Sequence, residues 1–547
     1  MSTLQPIYDQ LTAAGSPFEL REEEVLGVRM PVFAARPRSL RELLVASAAH
    51  DDREFLVCGS RRRTYREHRE RVGALARGLA ERYAIGRGDR VAILAANGPE
   101  WIETFWAVTS LGGIVVAMNG WWVGDEIEHA IGDSDPKLIV VDRKRLARLP
   151  DSARRRAIVE IESDFEALVG TPHPLSGVEI DEDDPACILY TSGTTGRAKG
   201  AVLSHRAFLA SVALQTLNGA AMRIASGAPM PSSPPCTLLT TPLFHVSGLV
   251  AGVVMMLSVG AKVVLREGRF DPVDVMRLID EEGVTSWSTT PTMVHRVVHH
   301  PEVDVYRLTS LANLGSGGSA LSPELQEKIR KRLPQAGIGL GYGLTESGGI
   351  ATINSGSDLA ERPRSSGRAM PCVEVEVRDA KGSRVADGCE GEIHLRSPLV
   401  MLGYWNDEVA TRESLSHDRW LRTGDIGRLE DGHLYIDSRA RDLILRGGEN
   451  VHPIEVEQAI ESHPAVDEAA VLGVDHEELG QEVLAIVVPR SADAVDVDAL
   501  RDWVAARIAA FKVPVHWVVR REPLPRNATG KLLKAGLVAR ESPRALL

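Results

Sequence analysis

Residues 186–200 read ACILYTSGTTGRAKG: five apolar or aromatic residues, then a loop of hydroxyls, glycines and a lysine. The first half has the length and content of a buried strand, and the polar half begins where that strand would end. Gly193, Gly196 and Gly200 let the backbone bend and approach a ligand closely. Thr191, Ser192, Thr194 and Thr195 bring hydroxyls, freed main-chain N–H groups add donors, and Lys199 adds a positive charge. A strand-end loop of this kind suits a polyphosphate. It is not a Walker loop, because Ala198 stands where the second glycine of G-x-x-x-x-G-K-[ST] belongs.

The surrounding sequence alternates in the same way. Segments 91–97 (VAILAAN) and 137–142 (KLIVVD) read as buried strands, and 40–50 (LRELLVASAAH) and 65–83 (YREHRERVGALARGLAERY) as helices. Such alternation predicts α/β architecture. Segments 373–385 and 391–397 alternate with period two around turn residues, which predicts a smaller antiparallel β unit inside the larger body. The Pro/Ser/Gly-rich stretch 222–237 (MRIASGAPMPSSPPCT) reads as a surface loop. Residues beyond about 437–442 carry a β/α pattern of their own, of a length that suits a small C-terminal domain.

Composition narrows the function. The 547 residues carry 63 basic and 75 acidic side chains, a net charge of −12, which excludes a generally basic nucleic-acid or membrane-surface protein. A local cationic pocket remains compatible with that balance. Ten of the basic residues are lysine and 53 are arginine, so each lysine raises the question of whether a compact ammonium is needed there. Five scattered cysteines without a C-x-x-C pair suggest neither a disulfide framework nor a zinc site. The most apolar run, 248–260, has 13 residues, too few to span a bilayer, and reads as a buried helix. Neither end carries a targeting signal, and the expected compartment is the cytoplasm.

The loop at 190–200 resembles the phosphate-binding signature of the adenylate-forming superfamily, which includes acyl-CoA synthetases, peptide-synthetase adenylation domains and luciferases. Further segments match in order: 242–248 (PLFHVSG), 315–321 (GSGGSAL), 341–347 (GYGLTES), 391–405 (GEIHLRSPLVMLGYW), 423–425 (TGD), 437–457 (DSRARDLILRGGENVHPIEVE) and 525–531 (PRNATGK). The resemblance implies a large N-terminal domain (1–438) of α/β subdomains with a small β-barrel-like subdomain. A hinge (439–441) and a mobile, smaller α+β C-terminal domain (442–547) would follow.

It also implies roles. ATP would adenylate a carboxylic acid with release of pyrophosphate, and coenzyme A would then take the acyl group. Lys531 would bridge the carboxylate and the α-phosphate. Two unit charges about 4 Å apart at an effective dielectric near 20 interact by about 4 kcal/mol, so one placed cation matters there. Glu346 would hold Mg²⁺, with Thr345 adding a hydroxyl to the α-phosphate. The nucleotide set is Thr191, Ser192, Gly193, Thr194, Thr195, Gly196 and Lys199, with Gly317, Gly318, Ser319, Tyr342 and Gly343 around adenine. Asp425 and Arg439 would hold the ribose. His245 belongs to both the catalytic and the acyl-pocket sets, the latter with Gly317, Gly341, Ser347 and Gly348. Arg441 would be the hinge pivot, and Gly447, Gly448 and Glu449 would border the coenzyme A channel.

Two departures stand out. Leu340 occupies the position before GYGLTE where a polar residue often faces the adenine amino group. Phe244 is followed by His245, not by the aspartate that pairs an amino acid's ammonium in peptide-synthetase domains, so the expected acid is fatty, aryl or cyclic. An amine or a carrier-protein thiol remains an alternative acceptor, and a homodimer is one assembly left open. Taken alone, 315–320 (GSGGSA) also matches a Rossmann fingerprint, but the acidic residue expected about 20 positions on is missing. A non-catalytic binding protein is disfavoured because Lys199, Glu346 and Lys531 are all present.

Overall fold

Strands Arg90–Leu94, Ile114–Ala117 and Leu138–Val141 are apolar almost throughout and buried on both faces, the condition that parallel strands with covered faces impose. They pair in parallel, and Pro185–Thr191 joins them beside Ile114–Ala117. The computed structural model describes residues 4–175, 177–191, 197–227, 229, 233–318, 321–439, 442–446, 449–476, 479–490, 495–527, 532–534 and 537. Among these, the sheet has seven strands, and its antiparallel edge is Lys199–Ser204 followed by Gly403–Tyr404. The opening stretch is thus a strand, a loop and a returning strand, with Thr191 paired to Lys199.

A second, larger sheet begins with parallel strands, among them Cys236–Leu239, Ser286–Thr289, Asn313–Gly317 and Gly337–Tyr342. It continues antiparallel through Thr352–Ser355, Gly367–Ala369, His433–Arg439, Leu421–Glu430, Glu390–Arg396 and Glu374–Arg378. The expected antiparallel unit is present, but it runs on from the larger sheet through the short strand Gly367–Ala369 instead of standing apart.

Helices sit where their caps place them. Thr64 accepts the Glu67 N–H at 3.2 Å, and Glu67 accepts the Thr64 N–H at 2.7 Å, opening Tyr65–Tyr83. The run 248–260 is buried helix as expected, with a local difference: Ser247–Val254 is wound as a π-helix before Met255–Ser258. Gly248 and Gly252 allow close packing there, since a Cβ would lie 2.2 Å from the Pro242 carbonyl and 2.4 Å from Leu239. No helix among the described residues is long and apolar enough to cross a membrane.

The loop expected at 222–237 begins later than its composition suggests. Helix His205–Ser226 continues to Ser226, and Gly227, at φ 64°, caps it. Met222 holds this last turn in place: its sulfur accepts a hydrogen bond from the Ser355 hydroxyl at 3.2 Å.

After His433–Arg439 the chain enters a sheet that has five strands among the described residues, with helices Pro453–Glu461 and Val497–Ala505 packed into its apolar cluster. Contacts tie this part to the rest. His452 Nε2 lies 2.7 Å from Glu390 Oε2 and its Nδ1 3.1 Å from Ser438 Oγ, while His295 Nε2 lies 3.7 Å from Asp467 Oδ1.

Candidate active site

Glu346 sits in the short 3₁₀ turn Thr345–Ser347 that follows strand Gly337–Tyr342. Its Oε1 accepts hydrogen bonds from the Thr191 hydroxyl at 3.2 Å and the Tyr404 hydroxyl at 3.0 Å. Three distant segments meet here because the main chain brings them together. The Met401 N–H donates to Glu346 O, the Leu402 N–H to Val202 O and the Trp405 N–H to Gly200 O. Lys199 Nζ lies 5.3 Å from the centroid of the Tyr404 ring. Burial, and the Glu346 carboxylate beside it, raise the Tyr404 hydroxyl above the ordinary tyrosine range. Tyr404 lies in the quoted stretch 391–405 yet received no role from the sequence; only strand pairing with 201–202 places it on Glu346.

Tyr342 ends its strand with the ring largely buried, and its hydroxyl donates to Asp425 Oδ2 at 2.9 Å. Asp425 is itself buried and sits opposite Arg439 in the strand register. The chain after Tyr342 turns tightly upon itself. A Cβ on Gly343 would lie 2.6 Å from the Gly349 backbone, and Gly348 adopts φ 70° with its Cβ position 2.7 Å from the Leu399 carbonyl.

A cavity of about 2450 Å³ runs along the parallel strands Ser286–Thr289, Asn313–Gly317 and Gly337–Tyr342 and is bordered by Glu346, Thr191 and Tyr404, while Lys199, Tyr342 and Asp425 do not line it. Of the residues singled out in the sequence, Thr191, Gly317, Gly318, Gly341, Gly343, Thr345, Glu346, Gly348 and His245 line it. Ser347 does not. Its hydroxyl accepts the Leu344 N–H at 2.9 Å and donates to the Leu344 carbonyl at 3.1 Å, so it closes the turn instead of facing the acyl pocket. Leu340 lines the cavity too and packs on its other side against an apolar cluster. From the C-terminal part, Arg526, Asn527 and Leu533 reach the same cavity.

The imidazole of His245 is shifted from its ordinary value down to about 4 by burial, so it is neutral near pH 7. Its Nε2 is buried without a hydrogen-bond partner among the described residues, as are the hydroxyls of Thr241, Thr289, Thr290 and Ser316. All five residues line the cavity. A buried polar atom without a partner is costly. The four hydroxyls escaped the sequence reading. Their only signal was a position at or just beyond the end of an apolar run.

Glu449 is exposed at the start of strand Glu449–Val451. Ser192, Gly193, Thr194, Thr195, Gly196, Ser319, Arg441, Gly447, Gly448, Lys531 and the side chain of Arg439 lie outside the described residues.

The AMP-binding enzyme family model matches residues 44–405, and that of the AMP-binding enzyme C-terminal domain matches 455–531. A feruloyl-CoA synthase of Amycolatopsis sp is 32% identical over 474 residues, covering 86% of this chain and 92% of that protein. A long-chain-fatty-acid–CoA ligase of Bacillus subtilis (strain 168) is 31% identical over 499 residues, 84% of this chain and 86% of that one. The crystal structure of the anthranilate CoA ligase AuaEII in complex with anthranoyl-AMP superimposes with a TM-score of 0.85. That structure is 25% identical and covers 93% of this chain and 99% of its own. With a family match across most of its length and relatives of this coverage, the chain belongs to the AMP-binding enzymes.

Proposed function

We propose that the chain is an ATP-dependent acyl-CoA ligase that activates a carboxylic acid lacking an α-ammonium. The observation that carries this reading is the meeting of Glu346 with the Thr191 and Tyr404 hydroxyls at the wall of the cavity, with Lys199 beside the Tyr404 ring.

In the first half-reaction a carboxylate oxygen attacks the α-phosphorus of ATP, and the bond to pyrophosphate breaks. Two anions must approach in line, so the residues around them supply charge and orientation. Lys531 bridges the carboxylate and the α-phosphate. Lys199 and the hydroxyls of the loop at 191–196 hold the β- and γ-phosphates. Thr345 donates to the α-phosphate, and Asp425 accepts from the ribose hydroxyls, its own position fixed by Tyr342. Neutral His245, whose Nε2 has no hydrogen-bond partner among the described residues, lines the cavity where the carboxylate would sit.

Glu346 with the Thr191 and Tyr404 hydroxyls is an all-oxygen set carrying one carboxylate, which suits a hard cation bound mainly through substrate phosphates. Mg²⁺, when bound, supplies charge neutralisation to the phosphates. In the second half-reaction the coenzyme A sulfur attacks the acyl carbonyl and AMP leaves. Rotation about residues 439–441, with Arg441 as pivot, moves Lys531 away and brings Gly447, Gly448 and Glu449 to the thiol channel. The domain limits 1–438 and 442–547 follow from that pivot.

The test is pyrophosphate release against fatty, aryl and cyclic acids, with and without coenzyme A. Release that requires acid and ATP, collapses in Lys531→Ala and yields a coenzyme A thioester is the expected result. No release with any acid, or release indifferent to Lys531→Ala, overturns the first step. Trapping of the acyl group by hydroxylamine without thioester formation overturns the acceptor.

A further inference from the structure

The large sheet has two unlike faces where it meets the cavity. Alternate residues Leu238, Trp287, Leu314 and Ile338 point to one side and pack into an apolar cluster. The residues between them point to the cavity and are mostly glycine and serine, with Asn313 and Ile353 at the margins. Register aligns Ser286 with Asn313 and Gly337, Ser288 with Gly315, Gly339 and Ser355, and Gly317 with Gly341 and Ile353. All of these line the cavity.

This floor spans three strand spacings, about 14 Å, from Ser286–Thr289 to Thr352–Ser355, and four residues, about 13 Å, from Gly337 to Gly341. Glycine in a strand interior weakens the strand and leaves a face with nothing to pack. Close packing of the backbone accounts for Gly317, whose Cβ would lie 3.2 Å from the Gly341 carbonyl, but not for its neighbours. A Cβ on Gly339 would meet nothing within 4 Å, on Gly341 only Ile350 at 3.9 Å, and on Gly315 only Ser288 at 3.6 Å or beyond. The space is left for a ligand.

The opposite wall is mixed. Val250, Met255 and Met256 offer apolar and deformable contacts, while Gln215 and Asn218 of helix His205–Ser226 offer amides. Far from Glu346 the floor opens to water at Asn313 and Gly337, which are exposed. A single hydrocarbon chain, about 4 Å across at van der Waals contact, would cover a third of the width and leave the rest unfilled.

We infer that the acid is a broad fused-ring carboxylic acid with polar ring substituents, lying flat on the glycine floor with its carboxylate toward Glu346 and His245. This rests on the acid-activating reading and narrows it. A slab of fused rings matches both dimensions of the floor, hydroxyl or oxo groups on its far ring meet the open polar end, and Met255 and Met256 close over its apolar face.

The experiment compares cholic, palmitic and ferulic acids with the full chain, as pyrophosphate release and as calorimetric binding, in the wild type, Gly339→Val and Gly315→Ala. The Cβ of Gly339→Val enters open space above the floor, and an unchanged response to ATP alone shows that the variant is folded. The expected result is a kcat/KM for cholic acid about tenfold or more above that for palmitic and ferulic acids. In Gly339→Val that value falls about tenfold or more, while the narrower ferulic acid is little affected. Preference for palmitic or ferulic acid, or an equal loss for all three in Gly339→Val, overturns the inference and leaves the ligase reading standing. Cholic acid binding that Gly339→Val abolishes, with no pyrophosphate released from any acid, upholds the cavity assignment and overturns the ligase reading. Absence of both binding and turnover with cholic acid overturns the inference.

Discussion

The Glu346 carboxylate takes two hydroxyl donors on one oxygen, Oε1, and its main-chain carbonyl takes a third hydrogen bond from the Met401 N–H. Position and direction of the side chain are therefore set before any ligand arrives. Hydrogen bonds to a charged group contribute about 1.5–3 kcal/mol, or roughly a tenfold to hundredfold change in an equilibrium or rate. Glu346→Gln is expected to lower the rate of acid-dependent pyrophosphate release by about that range and to raise the Mg²⁺ concentration needed for half-maximal rate. Tyr404→Phe, which removes one of the two donors to the carboxylate, should cost about 1.5 kcal/mol, roughly tenfold, with the same direction of change in Mg²⁺ dependence. A Mg²⁺ titration of both variants checks this; an unchanged requirement in Glu346→Gln would remove the cation from that residue. The glutamate was legible from GYGLTES, whereas Tyr404 and Thr191 became its partners only through pairing between segments more than 150 residues apart.

At the scale of elements, the chain on either side of 528–531 is tied down at both ends. Leu533 N–H donates to Pro525 O at 2.9 Å, and Arg526 and Leu532 form an antiparallel bridge. Before that segment, the Leu524 N–H donates to Glu468 Oε2 at 2.8 Å, and Arg526 lies 3.4 Å from Glu468 Oε1. After it, Lys534 Nζ lies 2.6 Å from Glu457 Oε1 on helix Pro453–Glu461. These partly buried tethers fix the stem that carries Lys531. Lys534→Ala is expected to slow adenylation about tenfold and to leave thioester formation from supplied acyl adenylate nearly unchanged, with Lys534→Arg restoring most of the loss. Single-turnover assays of the two half-reactions separate this from a general loss of folding, which would depress both. The β/α pattern expected beyond about 437–442 is present here as helices Pro453–Glu461 and Val497–Ala505 with strands Val466–His476 and Gly480–Pro489. The expectation failed at 222–237, where the loop-like composition of the segment hid a final helical turn held by Met222 and Ser355. Tertiary contact, not local propensity, decided that boundary.

Across the whole molecule, acid sensitivity follows from histidines buried in neutral form. Burial lowers His68 to about 3 and His205 to about 4, from an ordinary value of 6.5. His205 Nδ1 accepts the Leu40 N–H at 3.1 Å, and His68 packs against Phe55 with ring centroids 4.8 Å apart. Between those values and 6.5 the unfolded chain binds protons that the folded chain refuses. Stability is therefore present above about pH 6.5 and is lost as pH falls, by up to about 1.4 kcal/mol per pH unit for each such group. The melting temperature should drop between pH 7 and pH 4.5, and His68→Leu should flatten that limb; an unchanged slope would place the acid sensitivity elsewhere. The overall architecture was readable because α/β alternation and a dense series of motifs run through nearly all of the chain. The continuity of the larger sheet was not, since the strand that joins its parallel and antiparallel parts, Gly367–Ala369, has three residues and no apolar alternation.

That sheet has a thermodynamic consequence. With heavy side chains on one face and hydrogen atoms over much of the other, the ligand-free protein keeps a section of its interior in contact with water. An acid that settles there removes apolar surface from solvent much as a late step of folding does. Its binding should therefore carry a negative heat-capacity change set by the area of the floor it covers. The substrate then serves as a temporary piece of the core. Turnover demands that this piece be released, so product departure must return the floor to water, and a substrate that covers it more fully is held longer on the enzyme.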